Sequence, residues 1–186
     1  FVKRKINFKK KEDKKKKIFL CFGGGSDLNL FKFILNVLRQ KIEKIKKITA
    51  ITSDKKVLKK LINLKKKYFN SKNYILDIYF KPSNLVNLID KSNLIIVSGG
   101  GITHEINCRS KKMNIISINK NQILQCNRWK YFGHNYLGNW NGRKNNKITK
   151  KINNILNRKK NDEYIKQNIF TNKTDQIIKD AIKIIR

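Results

Sequence analysis

The chain is short of acids, of cysteine and histidine, and of long apolar runs, and each shortage removes a class of protein. No segment approaches the ~20 consecutive apolar residues that cross a bilayer, and the N-terminus lacks the apolar core of a secretory signal. Three cysteines in 186 residues, Cys21, Cys108 and Cys126, are not a disulfide framework. Cys21 lies in an apolar run and reads as a small core residue. A cytoplasmic protein is the expectation. There are two histidines. His104-Glu105 begins a His-Glu-x-x-His zinc pattern, but Cys108 stands where the second histidine belongs. Cys108 and Cys126 are too far apart for a finger. No metal site and no cofactor are expected, and His134 reads as a structural histidine. The first residue is Phe, which fits a fragment of a longer chain or a trimmed one.

Acids are scarcest of all against their counterpart: 12 Asp and Glu stand against 45 Lys and Arg, a net charge of +33. One reading is the electrostatic footprint of a nucleic-acid or anionic-membrane partner. The other is coding bias, since Lys, Asn, Ile, Phe and Tyr are all abundant and all have AT-rich codons. Lys also dominates over Arg, whereas base-edge readout leans on Arg. Nucleic acid is therefore expected only as a non-specific partner. Trp129, Phe132, Tyr136 and Trp140 lie amid Lys and Arg. They suit base stacking or, more simply, packing of the last helix and strand.

What is present is an alternation of apolar runs and helical periodicity. Residues 1–16 are Lys-rich and read as a linker or arm. Strands are expected at Ile18–Phe22, Ile48–Thr52, Tyr74–Tyr79, Asn93–Ser98, Met113–Ile118 and His134–Leu137. Helices are expected at Leu28–Gln40, from Ser53 or Asp54 through Leu64, after Lys81-Pro82-Ser83 to Ile89, at Ile102–Arg109 and at Gln122–Tyr131. Asp27 is a candidate N-cap, Ser83 another, and Gly133 a helix stop. This order predicts an α/β domain over 17–138, a Rossmann-like parallel sheet with helices on both faces. A basic extension over 139–186 follows, with weak helical spacing in 147–157 and 175–185.

Two strands run straight into glycine triplets. Ile18–Phe22 meets Gly23-Gly24-Gly25-Ser26-Asp27, and Leu94–Ser98 meets Gly99-Gly100-Gly101-Ile102-Thr103-His104-Glu105. Glycine lets the backbone approach an anion, and the first N–H groups of a helix have no partner within it. In parallel sheets ligands sit beyond the C-terminal strand ends, where strand order reverses. Gly100, Gly101, Ile102 and Thr103 are candidate amide donors, and Thr103 adds a hydroxyl. Glu105 is a candidate acceptor for a ribose diol, or a first-turn acid that complements the helix dipole. Asn121-Gln122 follows the fifth strand on the same edge and could hold sugar hydroxyls or cap a turn. Neither triplet has the dinucleotide fingerprint or the Gly-Lys-Ser/Thr of a P-loop.

The run Leu94–Glu105, then Met113–Ile118 and Asn121-Gln122, resembles the C-terminal half of GT-B nucleotide-sugar enzymes. The nearest likeness is to the UDP-sugar hydrolases of the pseudaminic-acid pathway and to spore-coat polysaccharide glycosyltransferase-like proteins. A more distant one is to the C-terminal domain of the peptidoglycan N-acetylglucosaminyltransferase. The resemblance implies UDP-sugar binding and a hydrolase or glycosyltransferase of surface-polysaccharide synthesis. It implies that Glu105 binds ribose and that Gly100, Gly101, Ile102 and Thr103 contact the diphosphate. Gly24 and Gly25 would face the diphosphate and sugar, Phe80 would hold uracil through its backbone, and Asn121 and Gln122 would meet the sugar. The catalytic histidine of the hydrolases belongs to an N-terminal domain that this chain does not match, so no catalytic residue is assigned here. A fragment, or a separate chain supplying the N-terminal GT-B half, is the matching expectation.

Overall fold

The computed structural model describes residues 15–23, 27–69 and 75–158. Six strands form one parallel sheet: β1 (Lys16–Cys21), β2 (Ile45–Thr52), β3 (Ile75–Phe80), β4 (Leu94–Ser98), β5 (Met113–Ser117) and β6 (Asn135–Asn139). Their spatial order is β3-β2-β1-β4-β5-β6, all neighbours parallel. The connecting helices are α1 (Leu28–Arg39), α2 (Lys55–Tyr68), α3 (Leu85–Asp90), α4 (Ile102–Cys108) and α5 (Asn121–Tyr131), and α6 (Asn146–Asn157) follows β6. The fold is the expected Rossmann-like α/β sandwich.

Both sheet faces are buried, which explains why the strands read as unbroken apolar runs. Successive side chains alternate, so Ile18 and Leu20 point to one core with Phe22, and Phe19 and Cys21 to the other. The first core takes α1, α2 and α6; the second takes α3, α4 and α5. On α1 the buried stripe is Leu30, Phe31, Ile34, Leu35, Val37 and Leu38. Phe31 meets Phe22 edge-on, with ring centroids 4.8 Å apart. Trp140 stacks on Phe33 at 4.8 Å, and Trp129 lies buried in the second core. Two of the aromatic residues among the basic ones are thus packing residues.

Local differences from expectation have local causes. Asp27 caps α1 by accepting from the Leu30 N–H at 2.9 Å, and Asp54 caps α2 by accepting from Lys56 and Val57. Asn84, not Ser83, occupies the cap position of α3, with no side-chain cap bond. β2 starts three residues earlier than expected, at Ile45, because the exposed Lys46 and its neighbour Lys47 interrupt the apolar run without ending the strand. Lys47 instead pairs with Asp77 on β3 at 2.6 Å. α2 continues past Leu64 through Lys65–Lys67, cations placed favourably at a helix C-terminus. Gly133 ends α5 with φ 91°, its N–H donating to Lys130 O at 3.0 Å. β6 begins at Asn135, leaving His134 in the preceding loop, and extends to Asn139. α6 buries Ile148, Ile152 and Leu156 in the first core, so it belongs to the same packed unit as the sheet. Residues 1–14 and the spacing in 175–185 lie outside the described residues, as does Tyr74; Lys16, expected in the arm, is instead a buried residue that opens β1 and pairs with Ile45 of β2.

Candidate functional site

The chain runs β1 to β3 in one direction across the sheet and β4 to β6 in the other. Strand order therefore reverses between β1 and β4, and Gly23 and the Gly99–Gly101 segment lie at that switch point. Ser98, the last residue of β4, ties them together: its Oγ accepts from the Gly23 N–H at 2.8 Å. Gly23 has φ 53°, a left-handed conformation that favours glycine. Ser98 is buried, and its link to Gly23 crosses 75 residues of sequence. Nothing in local spacing announces it. A serine ending an apolar strand at the predicted switch point was the one available cue. Gly24 and Gly25 lie outside the described residues.

The three glycines after β4 divide by role. Gly99 is a packing glycine. A Cβ there would sit 2.5 Å from Cys126 Sγ and 3.3 Å from Gln122 Cβ, so the loop can touch α5 only without a side chain. Gly99→Ala is expected to cost about 1–3 kcal/mol by overpacking. The cost should shrink in the Cys126→Ala background, as a urea-denaturation double-mutant cycle would show; strict additivity would mean that the two sites do not press on each other. Gly100 and Gly101 are different. Neither has a positive φ, and a Cβ on either would meet nothing within 4 Å among the described residues.

The loop's amides also divide. Gly99 N–H donates to Ile116 O and Gly100 N–H to Ser98 O. Thr103 N–H donates to Gly100 O, and His104 N–H to Gly101 O. Gly101 and Ile102 are left with no acceptor for their N–H groups among the described residues. The expectation of four outward amides therefore narrows to two, those of Gly101 and Ile102.

Thr103 departs furthest from expectation. It is completely buried. Its hydroxyl donates to Gly100 O at 2.7 Å and accepts from Trp129 Nε1 at 3.0 Å and Gln125 Nε2 at 3.4 Å. That hydroxyl holds the loop against α5 and has no path to a ligand. Glu105 is exposed in the first turn of α4. Burial pushes the Cys21 thiol up to about 12, and the Glu105 carboxylate adds to the rise, which sets that negative charge near the C-terminal end of β1. Asn121 is exposed at the start of α5. Gln122 accepts from the Ile118 N–H at 3.0 Å through Oε1, so half of its amide is spent on the turn. Phe80 ends β3, two strands from β1 on the same edge, with Lys81 Nζ 5.6 Å from its ring.

His134 has a structural role. His134 is buried, accepting from the Met113 N–H through Nδ1 at 3.2 Å, with Nε2 3.4 Å from Asn107 Oδ1. No group of three metal-ligating side chains exists among the described residues. No helix among them is long and apolar enough to cross a membrane.

No protein-family model and no curated protein matches this sequence. Solved structures do match in fold. One is MurG of Acinetobacter baumannii, with a TM-score of 0.60 and 11% identity over 79% of this chain and 43% of that one. Another is S. aureus MnaA, solved with UDP, with a TM-score of 0.56 and 13% identity over 96% of this chain and 50% of that one. The class defined is a Rossmann-like domain of the kind that forms half of a GT-B protein. The chain spans about half the length of these neighbours.

Proposed function

We propose that this chain is the UDP-sugar-binding half of a GT-B-type enzyme, hydrolase-like in preference to transferase, acting in surface-polysaccharide or nonulosonic-acid biosynthesis. The observation that carries the reading is the loop after β4. Among the described residues it offers two unsatisfied amides, Gly101 and Ile102, and two glycines, Gly100 and Gly101, that neither conformation nor packing requires. A diphosphate held there accounts for both features, because amides aimed at an anion need the backbone to come close. Glu105 accepts from the ribose hydroxyls, the Phe80 backbone holds uracil, and Asn121 with the free part of the Gln122 amide meets the sugar. Gly24 and Gly25 are assigned to the diphosphate and sugar by the resemblance alone. Bond cleavage, C–O at the anomeric carbon or its phosphate linkage, needs a second half to position the other reactant. An N-terminal GT-B half, on the same or a separate chain, is the proposed partner.

Titration of the full chain with UDP, with CMP and ADP as controls at moderate salt, tests this. UDP should bind saturably and selectively, and Glu105→Ala should weaken it about 10–100-fold, the worth of a charge-assisted bond. Gly101→Val should abolish binding while leaving the melting temperature nearly unchanged. Equal, salt-sensitive binding of all three nucleotides would make the loop a generic anion site and remove the UDP reading.

A further inference from the structure

The fold sorts the charge onto one side. The helices of one layer, α1, α2 and α6, carry twelve Lys and Arg and no acid; those of the other, α3, α4 and α5, carry two basic and two acidic residues. Coding bias alone raises Lys everywhere and does not choose a layer. Seven of the twelve are on α2, and Lys55, Lys56, Lys59, Lys60, Lys66 and Lys67 are exposed. None of the twelve has an acidic partner among the described residues. Arg39 and Lys67 even converge on the same Tyr68 ring, at 4.8 and 5.2 Å. Such crowding costs stability by self-repulsion.

We propose that the α2–α1–α6 layer is a docking surface for an anionic lipid bilayer. The inference is independent of the nucleotide site. α1 packs between α2 and α6. Three helices of about 10 Å diameter make a broad face, which suits a planar partner. Eleven of the twelve cations are Lys, hydrated point charges suited to diffuse attraction. Single-stranded nucleic acid is held on aromatic platforms and base edges are read mainly by Arg, and these three helices carry one Arg. The exposed large apolar residue here is Ile62, and Tyr68 is covered by its two cations.

The test is co-sedimentation of the full chain with phosphatidylcholine vesicles, with and without phosphatidylglycerol, and RNA as competitor. Binding should require phosphatidylglycerol and fall steeply with salt. The triple variant Lys59→Gln, Lys60→Gln, Lys66→Gln should bind about 100-fold more weakly, at roughly fivefold per lysine. The matched triple Lys91→Gln, Arg128→Gln, Lys130→Gln, from the opposite layer and its edge, should bind nearly as wild type. The first triple should also melt higher at low salt, confirming that it folds and that repulsion was relieved. Four results would each overturn the proposal: no vesicle binding, equal loss in both triples, no loss in either, or RNA displacing the vesicles.

Discussion

Thr103→Val is expected to lose about 2–3 kcal/mol of stability although it preserves the shape of the side chain. The hydroxyl it removes is the hub of three contacts: Gly100 O, Trp129 Nε1 and Gln125 Nε2. Valine leaves the Trp129 N–H buried without an acceptor, and an orphaned donor costs more than the average hydrogen bond contributes. Thr103→Ser keeps the hydroxyl and should cost less than half as much. In Trp129→Phe the orphan no longer exists, so Thr103→Val should be much cheaper there, a coupling that a denaturation cycle reads directly. The same variant should weaken UDP binding, because Gly100 loses its side-chain tether and the adjacent Gly101 and Ile102 amides lose their fixed aim. A Thr103→Val protein as stable as wild type would contradict the inward role given to this hydroxyl.

Thr103 also marks where sequence reasoning stops. The strand–glycine–helix pattern was enough to place the residue at the switch point, because strand alternation and apolar periodicity are local signals. Its direction was not legible. Whether a threonine at the head of a helix faces a ligand or the core depends on Trp129, 26 residues away on another helix. The glycines show the same limit. The pattern offered Gly100 and Gly101 as donors and left no role to Gly99, whose need for glycine comes from Cys126 and Gln122 on α5; a Cβ on Gly100 or Gly101 would meet nothing among the described residues. The cap at Asp27 was legible, and that of α2 to within Ser53 or Asp54, because capping is decided within three residues; Ser83 was one residue out, Asn84 standing at the cap position. The Ser98–Gly23 link was not, since it spans the whole β1–β4 crossover. Charge behaved likewise. The excess was plain in the composition, but its segregation appears only once the two cores assign each helix to a layer.

Acid should destabilise this protein through His134 in particular. Burial, helped by the nearby Lys112 charge, lowers its pKa from 6.5 to about 4. The ring is held neutral: Nδ1 accepts from the Met113 N–H, which a protonated ring cannot do. Above pH 6.5 neither the folded nor the unfolded histidine carries the proton, and the residue adds no pH dependence. Between about pH 6.5 and pH 4 the unfolded chain binds a proton that the folded chain refuses, so stability falls with falling pH. At about 1.4 kcal/mol per pKa unit, the loss reaches about 2–3 kcal/mol near pH 4 and then levels off. His134→Asn keeps a side-chain acceptor near the Met113 N–H and cannot titrate. It should be less stable than wild type at pH 7, from lost packing, but its stability should fall less steeply between pH 7 and pH 4. Urea denaturation at half-unit pH intervals measures both slopes, and subtracting them removes the carboxylates, including those of the Lys47–Asp77 and Arg109–Asp90 pairs, which titrate in both proteins. Parallel slopes would show that His134 is free to take up a proton in the folded state, and the Met113 hydrogen bond would then not constrain the ring.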